Sequence, residues 1–425
     1  MHCATHEAIS AVWRIECARI VAVVARMVRD VGIAEELAQD ALVAALEHWP
    51  AEGLPDNPAA WLTTTAKHRA LDHLRREQRL ADNLERIGSD LQAQEAHVVP
   101  DFVDGLDDRR ADDVGDDLLR LIFTACHPVL ALDARVALTL KLLGGLTTHE
   151  IARAYLVPEP TIAQRIVRAK RTLRESGVPF EVPRGPALGE RLASVLEAIY
   201  LIFNEGYTAT AGADWMRPAL CDEAVRLGRV LAALAPQEAE VHGLLALMQL
   251  QASRAAARRD ADGRPVLLLD QDRSRWDRLL IRLGLAALER AQALGGADGP
   301  YALQAAIAAC HARAAEASAT DWRQMCAWYE RLARVAPSPI VELNRAVAVA
   351  MADGPAAALA IVDALAGDAA LRKYHWLPSV RGDLLARLGR RAEARGEFER
   401  AAALATNERE RHLLRERAAA LRDAA

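Results

Sequence analysis

Three features of the 425-residue sequence predict an all-α fold. Apolar residues recur at three- and four-residue spacings almost throughout, matching the helical period of about 3.6 rather than the strand period of about 2. Alanine is abundant and alternating β-branched runs are nearly absent, so intrinsic propensity points the same way. The best strand candidate, Pro265 to Leu269 (PVLLL), is short, isolated and bounded by Asp262-Gly263 and Asp270, which makes it an ordered loop. At about 100 to 200 residues per domain, the length implies two to four domains.

Breaks in the helical pattern divide the chain. Residues 10–79 form one helical unit, 80–113 an acidic flexible linker, 114–176 a second unit, 177–187 a Pro/Gly linker and 188–425 a longer helical region. Twelve carboxylates face three arginines across 82–117, too little apolar surface for a core, so this segment is expected to be extended and mobile. In the last region Gly382, Leu385, Ala394, Phe398 and Ala401 echo Ala346, Val349, Ala358, Val362 and Leu365 at a separation of 36 residues. That pattern suits a TPR-like stack, in which small residues let two helices approach and an aromatic ring fills the gap. A plain array of helical hairpins is the alternative.

The formal net charge of −5 confines nucleic-acid binding to local basic patches. Six cysteines without a C-x-x-C pair indicate neither a disulfide framework nor a zinc ribbon, and no metal site or cofactor is expected. The N-terminus lacks a basic segment followed by an apolar core, and no apolar run reaches the roughly 18 residues of a membrane span. A cytoplasmic protein is expected.

The sharpest local signal is Leu146 to Arg174, LTTHEIARAYLVPEPTIAQRIVRAKRTLR. Thr147 and Glu150 have capping-box spacing for a short helix with Ile151, Ala152 and Tyr155 on its apolar side. Val157-Pro158-Glu159-Pro160 stops it, and a second helix starts near Thr161 with Ile162, Ile166, Ala169 and Leu173 facing inward. This is a helix-turn-helix pattern. Thr161, Gln164, Arg165, Arg168, Lys170 and Arg171 stand at the start and on the outer face of the second helix, where they suit phosphates and base edges in a major groove.

A second basic stretch is Asn57 to Arg79, NPAAWLTTTAKHRALDHLRREQR, with Pro58 at a helix start. It places Trp61, Thr64, Thr65, Lys67, His68, Arg69, Arg75 and Arg76 on one element, a mixture that suits unstacked bases and phosphates. A core tryptophan on an ordinary basic helix is the plainer alternative. Upstream, Glu35 to Trp49 is amphipathic, with Leu37, Ala41, Leu42, Ala45, Leu46 and Trp49 inward and Glu36, Gln39, Asp40 and Glu47 outward.

The order AEELAQDALVAALEHWP, DNPAAWLTTTAKHRALDHLRR, acidic linker, then IVRAKRTLR resembles bacterial sigma factors of the extracytoplasmic-function type. Residues 10–79 look like region 2 and 114–176 like region 4. The segments YLIFNEGYTA, DGRPVLLLDQDRSRWD and PSPIVELNRAVAVAMADG are similar to the long TPR-like extension of one subgroup. The resemblance implies a non-enzymatic protein that binds core RNA polymerase, directs it to promoter DNA and helps open the duplex. Carried over by position, Glu36, Leu37, Gln39 and Asp40 would meet the clamp helices of the largest polymerase subunit. Asp56, Asn57 and the helix from Trp61 to Arg76 would recognise the minus-10 element, with His68 where many relatives have Asn. The helix-turn-helix would read the minus-35 element, although Leu156 and Pro158 stand where the family commonly has Gly and Ser. The acidic linker would thread the basic channel of the polymerase. A regulatory protein or peptide would bind the TPR-like region.

Two other functions fit parts of the sequence. A one-component regulator with a TPR-like sensor explains 114–425 and leaves 10–79 idle. An enzyme site drawn from Asp262, Arg264, Asp270, Gln271, Asp272, Arg273 and Asp277 lacks a His/Cys ligand set or a nucleophile–base pair, so a salt-bridged loop is expected there.

Overall fold

The computed structural model describes residues 2–88, 111–155, 157–208, 216–260 and 264–421. These residues form helices and 3-10 turns with no strand, and the candidate strand contributes one isolated bridge, Arg259 to Pro265. The chain divides into two compact units, 1–198 and 199–425.

The first unit begins with α1 (His2–Val28), α2 (Val31–Glu52) and α3 (Pro58–Gly88), which pack on one another. Arg29, at φ 55, breaks the chain between α1 and α2. Asp30 then caps α2 by accepting from the Ile33 amide at 2.9 Å. The buried stripe of α2 is Ala34, Ala38, Ala41, Ala45 and Trp49. This corrects the sequence assignment, since Leu37 and Leu42 are half-buried and Leu46 is exposed. Alanines face the neighbouring helices because they let backbones approach closely, which leaves the larger apolar side chains at the edge of the packed face.

The helix-turn-helix unit consists of α4 (Ala111–Ala125), α5 (Leu132–Leu142), α6 (Thr148–Tyr155) and α7 (Glu159–Glu175). The acidic linker is shorter than expected: 80–88 continue α3 and 111–113 begin α4, while 89–110 lie outside the described residues. Asp117, counted with that acidic run, is fully buried and ion-pairs with Arg26 at 3.1 Å and Arg120 at 2.5 Å. Two guanidiniums compensate the buried carboxylate, so it belongs to the packed unit.

The first compact unit also runs past 176 into α8 (Pro186–Tyr207). Arg191 donates to the Phe123 carbonyl at 2.9 Å and Ser194 to the Cys126 carbonyl at 2.5 Å, satisfying groups at the C-terminal end of α4. Arg135 joins them, donating to Ser194 at 2.6 Å and Glu197 at 3.0 Å. A chain ended after Val182 loses these bonds. It should melt about 5 to 10 °C below a chain ended after Ala198, given about 1 kcal/mol per hydrogen bond. Equal melting temperatures in calorimetry would contradict this role for α8.

The second unit continues through α9 (Pro218–Leu234), α10 (Ala239–Ala252), α11 (Arg278–Ala293) and α12 (Pro300–Arg313). It ends with α13 (Trp322–Val335), α14 (Pro339–Ala352), α15 (Pro355–Leu365), α16 (Trp376–Arg387), α17 (Arg391–Leu404) and α18 (Glu408–Ala420), each packed on its sequence neighbour. Ala346, Val349, Ala358, Val362, Leu385, Ala394, Phe398 and Ala401 are buried, whereas Leu365, the remaining apolar position of the repeated spacing, is half-buried. Gly382 gives the Phe398 ring its seat: a Cβ there would stand 3.1 Å from the ring.

The polar loop between α10 and α11 is built differently from the expected salt-bridged loop. Among the described residues, Arg264, Asp270, Asp272, Arg273 and Asp277 form no ion pair; Asp262 lies outside them, and Gln271 is buried. Asp272 instead accepts from the Ser274 amide at 2.9 Å, and Asp277 caps α11 through the amides of Leu279 and Leu280 at 2.8 and 3.0 Å. Arg273 and Arg275 donate to backbone carbonyls. Nearby helix starts offer amides to the carboxylates, and the guanidinium forks reach unsatisfied carbonyls.

Candidate nucleic-acid and polymerase interfaces

Helix α3 is positioned by its cap and its buried stripe. Asn57 accepts from the Ala60 amide at 3.1 Å, and Leu62, Ala66 and Ala70 are fully buried. Helical periodicity then sets two adjacent outer rows, Thr64–His68–Arg75 and Thr65–Arg69–Arg76. Thr64, His68, Arg69, Arg75 and Arg76 are exposed, whereas Thr65 is half-buried. Lys67 stands apart on another flank and is half-buried. Trp61 is half-buried, its ring edge-on to Trp49 with centroids 5.3 Å apart, so part of its surface serves the core. Asp56 and Asn57 are exposed at the loop before the helix. Arg75 lies 3.6 Å from Asp72, an exposed pair of small energetic weight.

The capping box forms as its spacing predicts. The Thr147 amide donates to Glu150 at 2.8 Å, and the Glu150 amide donates to the Thr147 hydroxyl at 3.1 Å. Helix α7 starts at Glu159 with a proline in its first turn, slightly earlier than expected, and buries Ile162, Ile166, Ala169 and Leu173. Its other residues separate into two groups. Gln164, Arg168 and Arg171 are exposed on one row, and Arg171 lies 3.5 Å from Glu175. Arg165 is drawn to Asp133 of α5 at 3.4 Å, and Lys170 ion-pairs with Glu35 of α2. Thr161 is half-buried. Arg174, at the end of the basic segment, bonds to Asp30, a pairing the sequence did not reveal because no local pattern marks a partner 144 residues away.

On α2, Glu36 and Asp40 are exposed, whereas Leu37 and Gln39 are half-buried; Gln39 donates to Glu35 at 2.5 Å. Val43 and Leu46 are exposed next to them and give this face apolar as well as acidic character. The buried thiol of Cys126 is pushed up to about 11 by burial, and that of Cys310 to about 11, so both remain protonated at neutral pH. Among the described residues no cluster of His, Cys, Asp or Glu is arranged to hold a metal, and no helix is long and apolar enough to cross a membrane.

Three stretches of the chain match family models. Residues 17–80 match sigma-70 region 2, and residues 120–173 match sigma-70 region 4. Residues 191–292 match a family of unknown function (DUF6596). An uncharacterized protein of Rhizobium meliloti strain 1021 is 46% identical over 391 residues, which cover 92% of this chain and 90% of that protein. The ECF RNA polymerase sigma factor SigK of Mycobacterium ulcerans strain Agy99 is 32% identical over 162 residues, covering 37% of this chain and 79% of SigK. SigK of Mycobacterium tuberculosis strain H37Rv is 31% identical over 160 residues, covering 37% of this chain and 78% of SigK. The regulator alternative gave no role to the segment that matches region 2. With both sigma regions in family order on an all-helical frame, the chain belongs to the extracytoplasmic-function sigma factors of the sigma-70 type, non-enzymatic initiation factors, and carries a helical C-terminal extension.

Proposed function

We propose that this sigma factor is cytoplasmic, docks on core RNA polymerase through Glu36, Leu37, Gln39 and Asp40 of α2, and places α3 on the minus-10 element. Helix α7 reads the minus-35 element, with Gln164, Arg168 and Arg171 making the first contacts and Thr161, Arg165 and Lys170 joining them. The observation that carries the assignment is the pairing of an exposed cationic row with a buried apolar stripe on both α3 and α7. The extension is a TPR-like stack that regulates or supports initiation and offers a surface to a regulatory protein or peptide. The repeated small-residue and Phe398 packing supports that architecture.

Run-off transcription from fragmented host DNA with purified core polymerase tests the assignment. Discrete new starts should depend on the added chain. Arg168→Ala should lower promoter-dependent initiation by about fivefold to about a hundredfold, corresponding to about 1 to 3 kcal/mol for a bidentate base contact. A loss equal on all sequences would mark Arg168 as a phosphate contact instead.

A further inference from the structure

In the C-terminal unit, three arginines from the segment after α10 gather around two aromatic rings. Arg258 is buried, lies 3.6 Å over the Tyr207 ring, and donates to the Tyr207 carbonyl and, at 3.2 Å, to the Thr208 hydroxyl. Arg273 is buried 4.7 Å over the Trp276 ring, and its bonds go to neutral oxygens of His311, Ala314 and Thr320. Half-buried Arg254 reaches both rings, its guanidinium carbon 5.9 Å from the Tyr207 centroid and 6.0 Å from that of Trp276. These cations meet little negative charge. Among the described residues the Arg254 guanidinium makes no hydrogen bond or ion pair, and Arg273 meets no carboxylate. The carboxylates Asp272 and Asp277 of the same loop are committed to amides, and Glu410 of α18, whose charge favours that of Arg258, also meets His375 at 3.2 Å.

Hydrogen-bonding capacity is left over at the same place. Arg254 Nε, Arg273 Nε, Trp276 Nε1 and His311 Nδ1 are buried without a partner among the described residues. Trp276 and His311 are only 3% and 7% exposed. Burial, with Arg254 and Arg273 nearby, weakens the hold of His311 on its proton, so it adds no fourth cation at neutral pH. Water satisfies donors but leaves the charge uncompensated, and cations at such depth are normally paired with an anion. We propose that Arg254, with Arg258, Arg273 and the Trp276 indole N–H around the same two rings, binds the phosphoryl group of a small ligand. Three guanidiniums favour a doubly charged oxyanion over a carboxylate, and the unbonded N–H groups of Arg254 suit its oxygens. Such a site gives the extension a ligand input in addition to any protein or peptide it receives.

The test uses the full chain, with inorganic phosphate as the ligand and sodium chloride holding the ionic strength constant. Phosphate should bind saturably in calorimetric titration and raise the melting temperature of the C-terminal unit, whereas acetate should bind at least about tenfold more weakly. Arg254→Gln should weaken phosphate binding at least about tenfold, the loss of one charge-assisted contact. Arg254→Lys keeps the charge and should recover part of that loss. Arg395→Gln, which removes an exposed cation from α17, controls for net charge and should change the affinity less than about twofold. In chloride alone Arg254→Gln should melt at or above the parent, because it removes an uncompensated cation; a purely structural arginine predicts the opposite. No saturable binding by the parent, equal affinity for acetate, unchanged affinity in Arg254→Gln, an equal loss in Arg395→Gln, or an Arg254→Gln chain melting clearly below the parent in chloride would each overturn the site. Neither polymerase nor DNA enters these measurements, so their outcome is separate from that of the sigma assignment.

Discussion

Gly243→Ala should lower the melting temperature of the C-terminal unit by about 5 to 10 °C, corresponding to about 2 to 3 kcal/mol of overpacking. In an isolated helix the same change stabilises by about 1 kcal/mol. The sign reverses because α10 and α12 cross backbone to backbone: the added Cβ would stand 2.7 Å from Ala302 N and 3.1 Å from Ala302 Cα. Neither atom belongs to a flexible side chain, so the helices must separate. The same crossing carries a cap. Glu240 of α10 accepts from the amides of Tyr301 and Ala302 at 2.8 and 3.1 Å, while Gly299, at the N-cap of α12, has no side chain to do so. A Cβ on Gly299 would collide with that carboxylate. Gly396→Ala is the contrasting substitution: nothing lies within 4 Å of its Cβ, and it should stabilise α17. Calorimetry on both variants checks the pair, and a Gly243→Ala chain melting at or above the parent would refute the close crossing.

Arg273→Met should cost about 2 to 4 kcal/mol, because three charge-assisted hydrogen bonds, to His311, Ala314 and Thr320, and a stacked ring are lost together. Arg273 is buried, donates to the carbonyls of His311 and Ala314 at 2.7 and 2.8 Å, and lies 4.7 Å over the Trp276 ring. Those carbonyls end α12, so a cation from a distant loop satisfies the negative end of the helix as Glu240 satisfies the positive end. Denaturant titration of the C-terminal unit measures the loss, and a change below about 0.5 kcal/mol would remove Arg273 from this role. A pH effect accompanies it. Burial, with Arg254 and Arg273 nearby, lowers the His311 pKa to about 3 from an ordinary value near 6.5. The folded group binds its proton more weakly than the unfolded one, so its contribution is complete above about pH 6.5 and declines as pH falls. His311→Gln should flatten the loss of stability between about pH 6.5 and pH 4.

Local signals were legible in the sequence because neighbouring residues carry them. The capping box at Thr147 and Glu150, the helix start at Pro58 and the inward stripe Ile162–Ile166–Ala169–Leu173 all involve groups within a few turns of one helix. On α2 the sequence reading placed Ala41, Ala45 and Trp49 correctly on the buried face but added Leu37, Leu42 and Leu46, because hydropathy favours leucine over alanine, whereas packed helices select small side chains where their axes approach. Asp117 was placed in an extended acidic run because its partners, Arg26 and Arg120, are respectively far away and one turn ahead, and charge counting assigns no partner to either. The polar loop was expected to be salt-bridged because its Asp and Arg residues alternate; instead Asp272 and Asp277 bind amides just after them in the chain, and Arg273 reaches the distant end of α12.

By itself the sequence determined the helical class, the order of the two sigma regions and the identities of the cationic residues on α3 and α7. Periodicity, capping and charge are properties of short segments and survive without knowledge of the partner. Tertiary structure alone decided which of those cations remain open. Arg168 stands free among the described residues, whereas Lys170 and Arg174 are engaged by α2. The ends of α12 are likewise completed by Glu240 of α10 and by Arg273 of the loop between α10 and α11. Each of these pairings depends on a distance across the fold, and a one-dimensional pattern does not encode that distance until the helices pack.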